Sequence, residues 1–463
     1  MLCSCVDRAE LLRFVHPSER VRNDAANVVA ALGHEIALLN TSEDLYRAVS
    51  SVCMQSSIER FDEEQVRVAH LYKSELEAHG VHLGAHVQEQ VVQLQTAIAD
   101  TAHRFVCGEF GLLENLLELR ERLAQVLGFE CYADYVTPQR VIGSKSAALS
   151  LLDSIESMPS PKEKIFFVPQ GPIALEQVLS TLKQLTEKMI GLKVTKISSS
   201  KEAWHPSVQC WQVGERGKVF LDLLARPNKA DQPATFMLQF DVLNTHVEGG
   251  QNECAMVTAV SNPANLSRHE VESLFHEVCL IWKSIRFFTL YFMFLVVHLK
   301  WGHVLAAVCS STRYQQLAST RAALDFVETP SMLFERLAWH PLALPECAGV
   351  KLQPRVSRVD GDDIRGQLRL ARSDILLHSA QWRDHLPSTT PFAHLAPYGC
   401  GYYSYLMCRL FASNLYHLCL KEDLSGGIAL REGLLRHGGA RDPLNMITEC
   451  TGVSPFHLSH FHQ

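Results

Sequence analysis

The 463-residue sequence has no CxxC pair, no run of basic residues, no apolar stretch long enough to cross a membrane and no fixed-length internal repeat. Each absence closes a route. Without CxxC, the 14 cysteines scattered from Cys3 to Cys450 read as free thiols of a reducing compartment rather than a disulfide framework, and Cys3-x-Cys5 is too short for a zinc half-site. With no basic stripe and a formal net charge of −7, no nucleic-acid partner is expected. The most apolar run, Phe287 to Val297, has 11 residues where a bilayer needs roughly 20, so no membrane span is expected and the run reads as core or interfacial. Without repeats a solenoid is excluded. The opening Met1 to Glu10 lacks the pattern of a secretory signal, and it is not the Arg- and Ser-rich, acid-poor pattern of a transit peptide.

What is present is apolar material, 47% of the chain, enough for a large core in two domains or one large one. The reading is mainly α. Ser18 or Pro17 opens an amphipathic segment running to Leu39, Thr41-Ser42 caps the next, and Asp62 begins a third that stops at Gly80. Ala85 to Val106 repeats Val87, Val91, Leu94, Ile98 and Phe105 near the helical period, and Phe110 to Leu127 follows. Met158 to Pro172, punctuated by four prolines, reads as a linker or surface loop; it separates an N-terminal helical domain, 1–157, from a second domain, 158–463. After a helix from Ile173 to Ile190, Val208–Val213 and Lys218–Leu223 read as two strands around Gly214–Gly217. This pair is either a structural hairpin or a sheet edge that binds an extended peptide by strand addition.

Chemistry concentrates between Val271 and Glu335. His276-Glu277 lies there, as do Gly302-His303 and Asp325-Phe326-Val327-Glu328 ahead of Pro330. If Cys279 to Trp301, 23 residues, are set aside, His276-Glu277-Val278 meets Gly302-His303 and the line reads HEVGH. Two imidazoles at i and i+4 share a helix face and can hold one Zn²⁺, and the Glu after the first His can serve as general base. A downstream Glu is a common third ligand, and Glu328 lies 25 residues past His303. A second concentration, His394 to Leu406, holds four Tyr and a His; by itself it could be an aromatic core face, but Gly399 and Gly401 make its first half a loop.

The joined HEVGH, Thr312-Arg313-Tyr314-Gln315, Thr320-Arg321 and Asp325–Ser331 resemble the signature of the thimet-oligopeptidase-like zinc metallopeptidases, most closely the mitochondrial intermediate peptidase branch. That resemblance implies a large helical peptidase fold with a deep substrate channel and a small β-sheet beside the zinc site. It implies one Zn²⁺ held by His276, His303 and Glu328, with Glu277 as base and Asp325 as the carboxylate that fixes a ligand imidazole. His394, Tyr398, Tyr402 and Tyr405 would contact a peptide substrate and steady the oxyanion, and His437–Pro443 matches a further family motif. The implied protein is a monomeric metalloendopeptidase acting on short or unstructured peptides, in the mitochondrial matrix, or else in the cytoplasm given the missing transit peptide. Relatives carry more residues between the helix ending near Val106 and Gly128–Asp134. Ala306 stands where the family usually has another His and Ser319 where it usually has Gly, neither a ligand position.

The insert 279–301 is the main departure. An unbroken helix would put His276 and His303, 27 residues apart, roughly 40 Å from each other, so the ligands converge only if the insert loops out. It holds no Gly, Pro, Asn or Asp to make a turn, and it reads as a translated intron or a misdrawn exon. The alternative function is therefore a catalytically impaired peptide-binding or scaffold protein.

Overall fold

A computed structural model describes residues 2–54, 61–106, 108–159, 163–197, 202–230, 234–240, 251–267, 270–271, 301–319, 321–338, 340–358, 362–386, 393–396 and 398–461. His276, Glu277 and the insert up to Lys300 lie outside the described residues.

Helices dominate the first third: α1 (Leu2–Val15), α2 (Glu19–Asn40), α3 (Glu43–Met54), α4 (Glu63–Ala78), α5 (Ala85–Val106), α6 (Leu113–Val126) and α7 (Lys145–Glu156). The start of α4 is a capping box: the Asp62 carboxylate accepts from the Gln65 N–H at 3.0 Å while the Asp62 N–H donates to the Gln65 side chain at 3.1 Å. Two otherwise orphaned donors are thereby satisfied, which stabilises the helix by about 1 kcal/mol. The mixed sheet comes next, with α8 (Leu175–Leu185) ahead of it and continuing through Ile190 in one wider turn.

Strands β2 (Val194–Ile197), β3 (Gln209–Val213), β4 (Gly217–Leu224), β5 (Ala234–Gln239) and β6 (Asn252–Val260) lie in the order β2-β3-β4-β6-β5, parallel only between β4 and β6. The expected hairpin is present in the register Gln209↔Leu221 to Val213↔Gly217. The expected loop at Met158–Pro172 is corrected: β1 (Glu163–Pro169) pairs antiparallel with β7 (Leu352–Arg358) as a separate two-stranded ribbon. Each strand of such a ribbon has a free edge, so prolines at its end and edge cost no ladder hydrogen bond.

Beyond the sheet come α9 (Trp301–Cys309), α10 (Thr329–Ala338), α11 (Asp362–Leu377), α12 (Tyr403–Leu415) and α13 (Pro443–Thr451). Trp301, assigned from sequence to the insert, belongs to the core. It is fully buried, its indole N–H donates to Thr186 Oγ1 at 2.9 Å, and its ring meets Trp211 edge-on at 5.9 Å between centroids. The C-terminal tail is partly packed: Phe461 is fully buried and His460 stacks on His417, while His457 is exposed. One continuous apolar cluster takes in Leu116 and Leu152 from before position 157 and Tyr403 and Phe411 from after it. Among the described residues no helix is long and apolar enough to cross a membrane.

Candidate active site

The site begins with a close crossing of two helices. A Cβ on Gly302 would stand 2.5 Å from the Pro330 carbonyl oxygen and 2.6 Å from Ser331 Cα, so only glycine lets α9 approach the start of α10 at this point. The next residue on α9 is His303. Glu328 sits one residue before α10, and its carbonyl accepts from the Met332 N–H at 3.0 Å, which places the carboxylate at a helix N-terminus where the helix dipole favours negative charge.

The crossing brings His303 Nε2 to 3.5 Å from Glu328 Oε2, with the side chains 1% and 4% exposed. The Ser331 hydroxyl, 2.7 Å from the Glu328 carbonyl and 2.9 Å from its Oε2, holds that carboxylate in place. Two ligands on one tetrahedral ion with bonds of about 2.0–2.2 Å stand about 3.4 Å apart, so this buried donor pair suits a shared divalent metal. Among the described residues no third His, Cys, Asp or Glu completes a metal cluster; His276 lies outside them.

Asp325 has partners other than the imidazole that the resemblance implied. Its carboxylate accepts from the N–H groups of Val141 and Ile142 at 3.0 and 2.9 Å and from the Tyr403 hydroxyl at 3.1 Å. Burial first, and then the Asp325 charge, pushes the Tyr403 phenol well above its ordinary value, so it stays protonated and donates. Asp325 thus ties three segments together: the loop after residue 140, its own turn, and α12.

The four aromatic residues singled out in sequence form one nest. The His394 ring lies 6.0, 5.5 and 6.0 Å from those of Tyr398, Tyr402 and Tyr405, and Tyr405 lies 5.9 and 5.3 Å from Tyr398 and Tyr402. Tyr398 is buried; His394, Tyr402 and Tyr405 are partly exposed.

Three charged residues with no signal in the sequence hold this nest, Arg120 and Asp374 buried and Arg140 half-buried. Arg120 on α6 is fully buried, donating to the Leu395 carbonyl at 2.6 Å, the Ala396 carbonyl and His378 Nε2. A Cβ on Gly399 would meet its guanidinium at 2.7 Å. Arg140 donates to the Gly399 and Cys400 carbonyls. Asp374 accepts from the N–H groups of Cys400 and Tyr402 at 3.0 and 2.9 Å. Burial alone would raise the Asp374 carboxyl, but His378 and those two amides hold it below its ordinary value. Burial keeps His378 below its own ordinary value despite Asp374, so the ring is neutral, with Nε2 accepting from Arg120. Cys400 has φ 58°, a left-handed backbone held by bonds on both sides. No sequence signal separates Arg120, in the run Glu118-Leu119-Arg120-Glu121-Arg122, from a solvated charge.

The profile of Peptidase family M3 matches residues 169–279, 283–353 and 367–457, more than half of the chain. Mitochondrial intermediate peptidase of Arabidopsis thaliana is 24% identical, covering 97% of this chain and 85% of that one; the Homo sapiens protein of that name is 22% identical over 98% and 81%. The first alignment runs 626 positions, longer than this chain, so the relative carries segments absent here. Among solved structures, an M32 carboxypeptidase from Deinococcus radiodurans R1 superposes with TM-score 0.58 at 13% identity over 100% of this chain and 94% of that one. PZ peptidase A with an inhibitor gives 0.54 at 12% over 98% and 87%. These likenesses agree on a large helical peptidase fold with a small mixed sheet, and a metal cofactor is implied by the family. With a profile match over most of its second half and relatives along nearly its whole length, the chain belongs to peptidase family M3 and is a metallopeptidase.

Proposed function

We propose that the protein is a monomeric zinc metalloendopeptidase that hydrolyses short or unstructured peptides, including presequence-type substrates, in the mitochondrial matrix. The observation that carries this reading is the buried pair His303 Nε2 and Glu328 Oε2 at 3.5 Å; His276, outside the described residues, is proposed as the third ligand. When bound, Zn²⁺ supplies a Lewis acid that polarises the scissile carbonyl and acidifies water. The chain's own residues do the rest. Glu277 takes the proton from the attacking water and passes it to the leaving amine. The nest of His394, Tyr398, Tyr402 and Tyr405 receives the peptide, and a tyrosine hydroxyl from it donates to the developing oxyanion. The matrix location follows the names of the mitochondrial relatives.

One observation favours the second reading, a catalytically impaired peptide-binding protein: 26 residues stand between His276 and His303, where HExxH has three. The purified chain should carry one zinc and cleave a quenched fluorescent peptide, with Glu277→Gln abolishing turnover and retaining the metal. Peptide binding with neither zinc nor turnover would establish the second reading instead.

A further inference from the structure

Ser319 combines two features that are each uncommon for serine. Its φ of 55° lies in the left-handed region, which side chains other than Gly, Asn and Asp enter at a cost. Its hydroxyl, on a residue 4% exposed, has no hydrogen-bond partner among the described residues, whereas its backbone N–H is spent on Ser310 Oγ at 3.2 Å. A buried, unsatisfied hydroxyl in a strained backbone persists only where the surroundings give it something to do.

Those surroundings are a cavity of about 20 Å³ that Ser319 shares with His303, Ala306, Phe326 and Leu434. Of the ten described residues lining it, only His303 and Ser319 bring a polar side-chain atom. The volume suits a single water molecule, which enters an otherwise apolar space only where polar partners hold it.

We propose that Ser319 is a positioning residue for His303: its hydroxyl holds one buried water against the imidazole and so fixes the ring's orientation and tautomer. A ligating histidine usually has its second ring nitrogen held by an outer partner, and loss of that partner weakens metal binding by about 10- to 100-fold. The functional meaning rests on His303 being a zinc ligand; the water and its hold on the ring do not.

The test uses full-length, metal-free protein labelled with ¹⁵N-histidine, with the His303 ring signals assigned through His303→Gln. In the wild type one tautomer should dominate, with a cross-peak to a long-lived water. Ser319→Ala removes the hydroxyl and keeps the left-handed strain; Ser319→Gly removes both. Both variants should lose the cross-peak and show shifted ring nitrogens. Unchanged ring signals in Ser319→Ala, a change confined to Ser319→Gly, or no water cross-peak in the wild type overturns the proposal. Zinc titration is a separate arm, expected to show binding weakened at least tenfold in both variants. A wild type that takes up no zinc defeats the ligand role of His303, and the ring-nitrogen comparison still decides Ser319.

Discussion

At position 302 the contacts leave no room for even a methyl group, because the neighbours at 2.5 and 2.6 Å are backbone atoms of Pro330 and Ser331 and cannot rotate away. Gly302→Ala should therefore lower stability by about 2 kcal/mol or more, the upper range of overpacking costs, and should push α9 off α10 so that His303 and Glu328 separate. Urea denaturation and zinc content would check this together; a variant with unchanged midpoint and full zinc would refute it. The sequence made Gly302 visible only as a letter of HEVGH, since its contact partner lies 28 residues on, across a fold that spacing cannot reveal. Ala306 and Ser319 were legible as two unrelated departures from the family pattern. The structure puts both on the wall of one cavity.

Among the elements, those with local signals were read well. The Asp62 cap, the span of α5 and the hairpin β3–β4 each depend on residues within one or two turns of one another. The ribbon β1–β7 and the parallel pairing of β4 with β6 depend on partners far away in sequence, and prolines near β1 masked its strand character. The loop carrying His394 to Tyr402 was identified by its residues, whereas what holds it comes from α6, the loop after α6 and α11. Arg120→Met should remove the donors to Leu395, Ala396 and His378 at a cost of about 3 kcal/mol or more, as for other buried charged groups deleted from a network. Because the displaced nest both receives the peptide and donates to the oxyanion while the His303–Glu328 pair stays in place, KM for a peptide should rise and kcat should fall together. A variant with unchanged KM and kcat would show that Arg120 does not hold the substrate-binding loop.

On the scale of the whole molecule, the first helix is fastened to the signature segment. Asp7 on α1 pairs with Arg321 at 2.8 Å, Arg8 donates to the Leu238 carbonyl of β5 at 2.9 Å, and Phe14 meets Phe236 edge-on at 5.2 Å. Burial pushes the Asp7 carboxyl from an ordinary 3.8 up to about 7, in spite of Arg321. A carboxyl harder to ionise in the folded state contributes stability in full below about pH 4 and loses it as pH climbs through about 7. The urea midpoint should accordingly fall across that window, and Asp7→Asn should flatten this part of the slope; identical slopes in both proteins would count against it. Finally, consider the indole of Trp301 between Thr186 and Trp211. A shorter product spliced from Val278 directly to Gly302 would restore an uninterrupted HEVGH, yet it would set an isopropyl group where a bicyclic ring now fills the interior. The two possible translation products thus divide the virtues between them, one with a filled centre and a split motif, the other with a whole motif above a hollow that its neighbours must shrink to close.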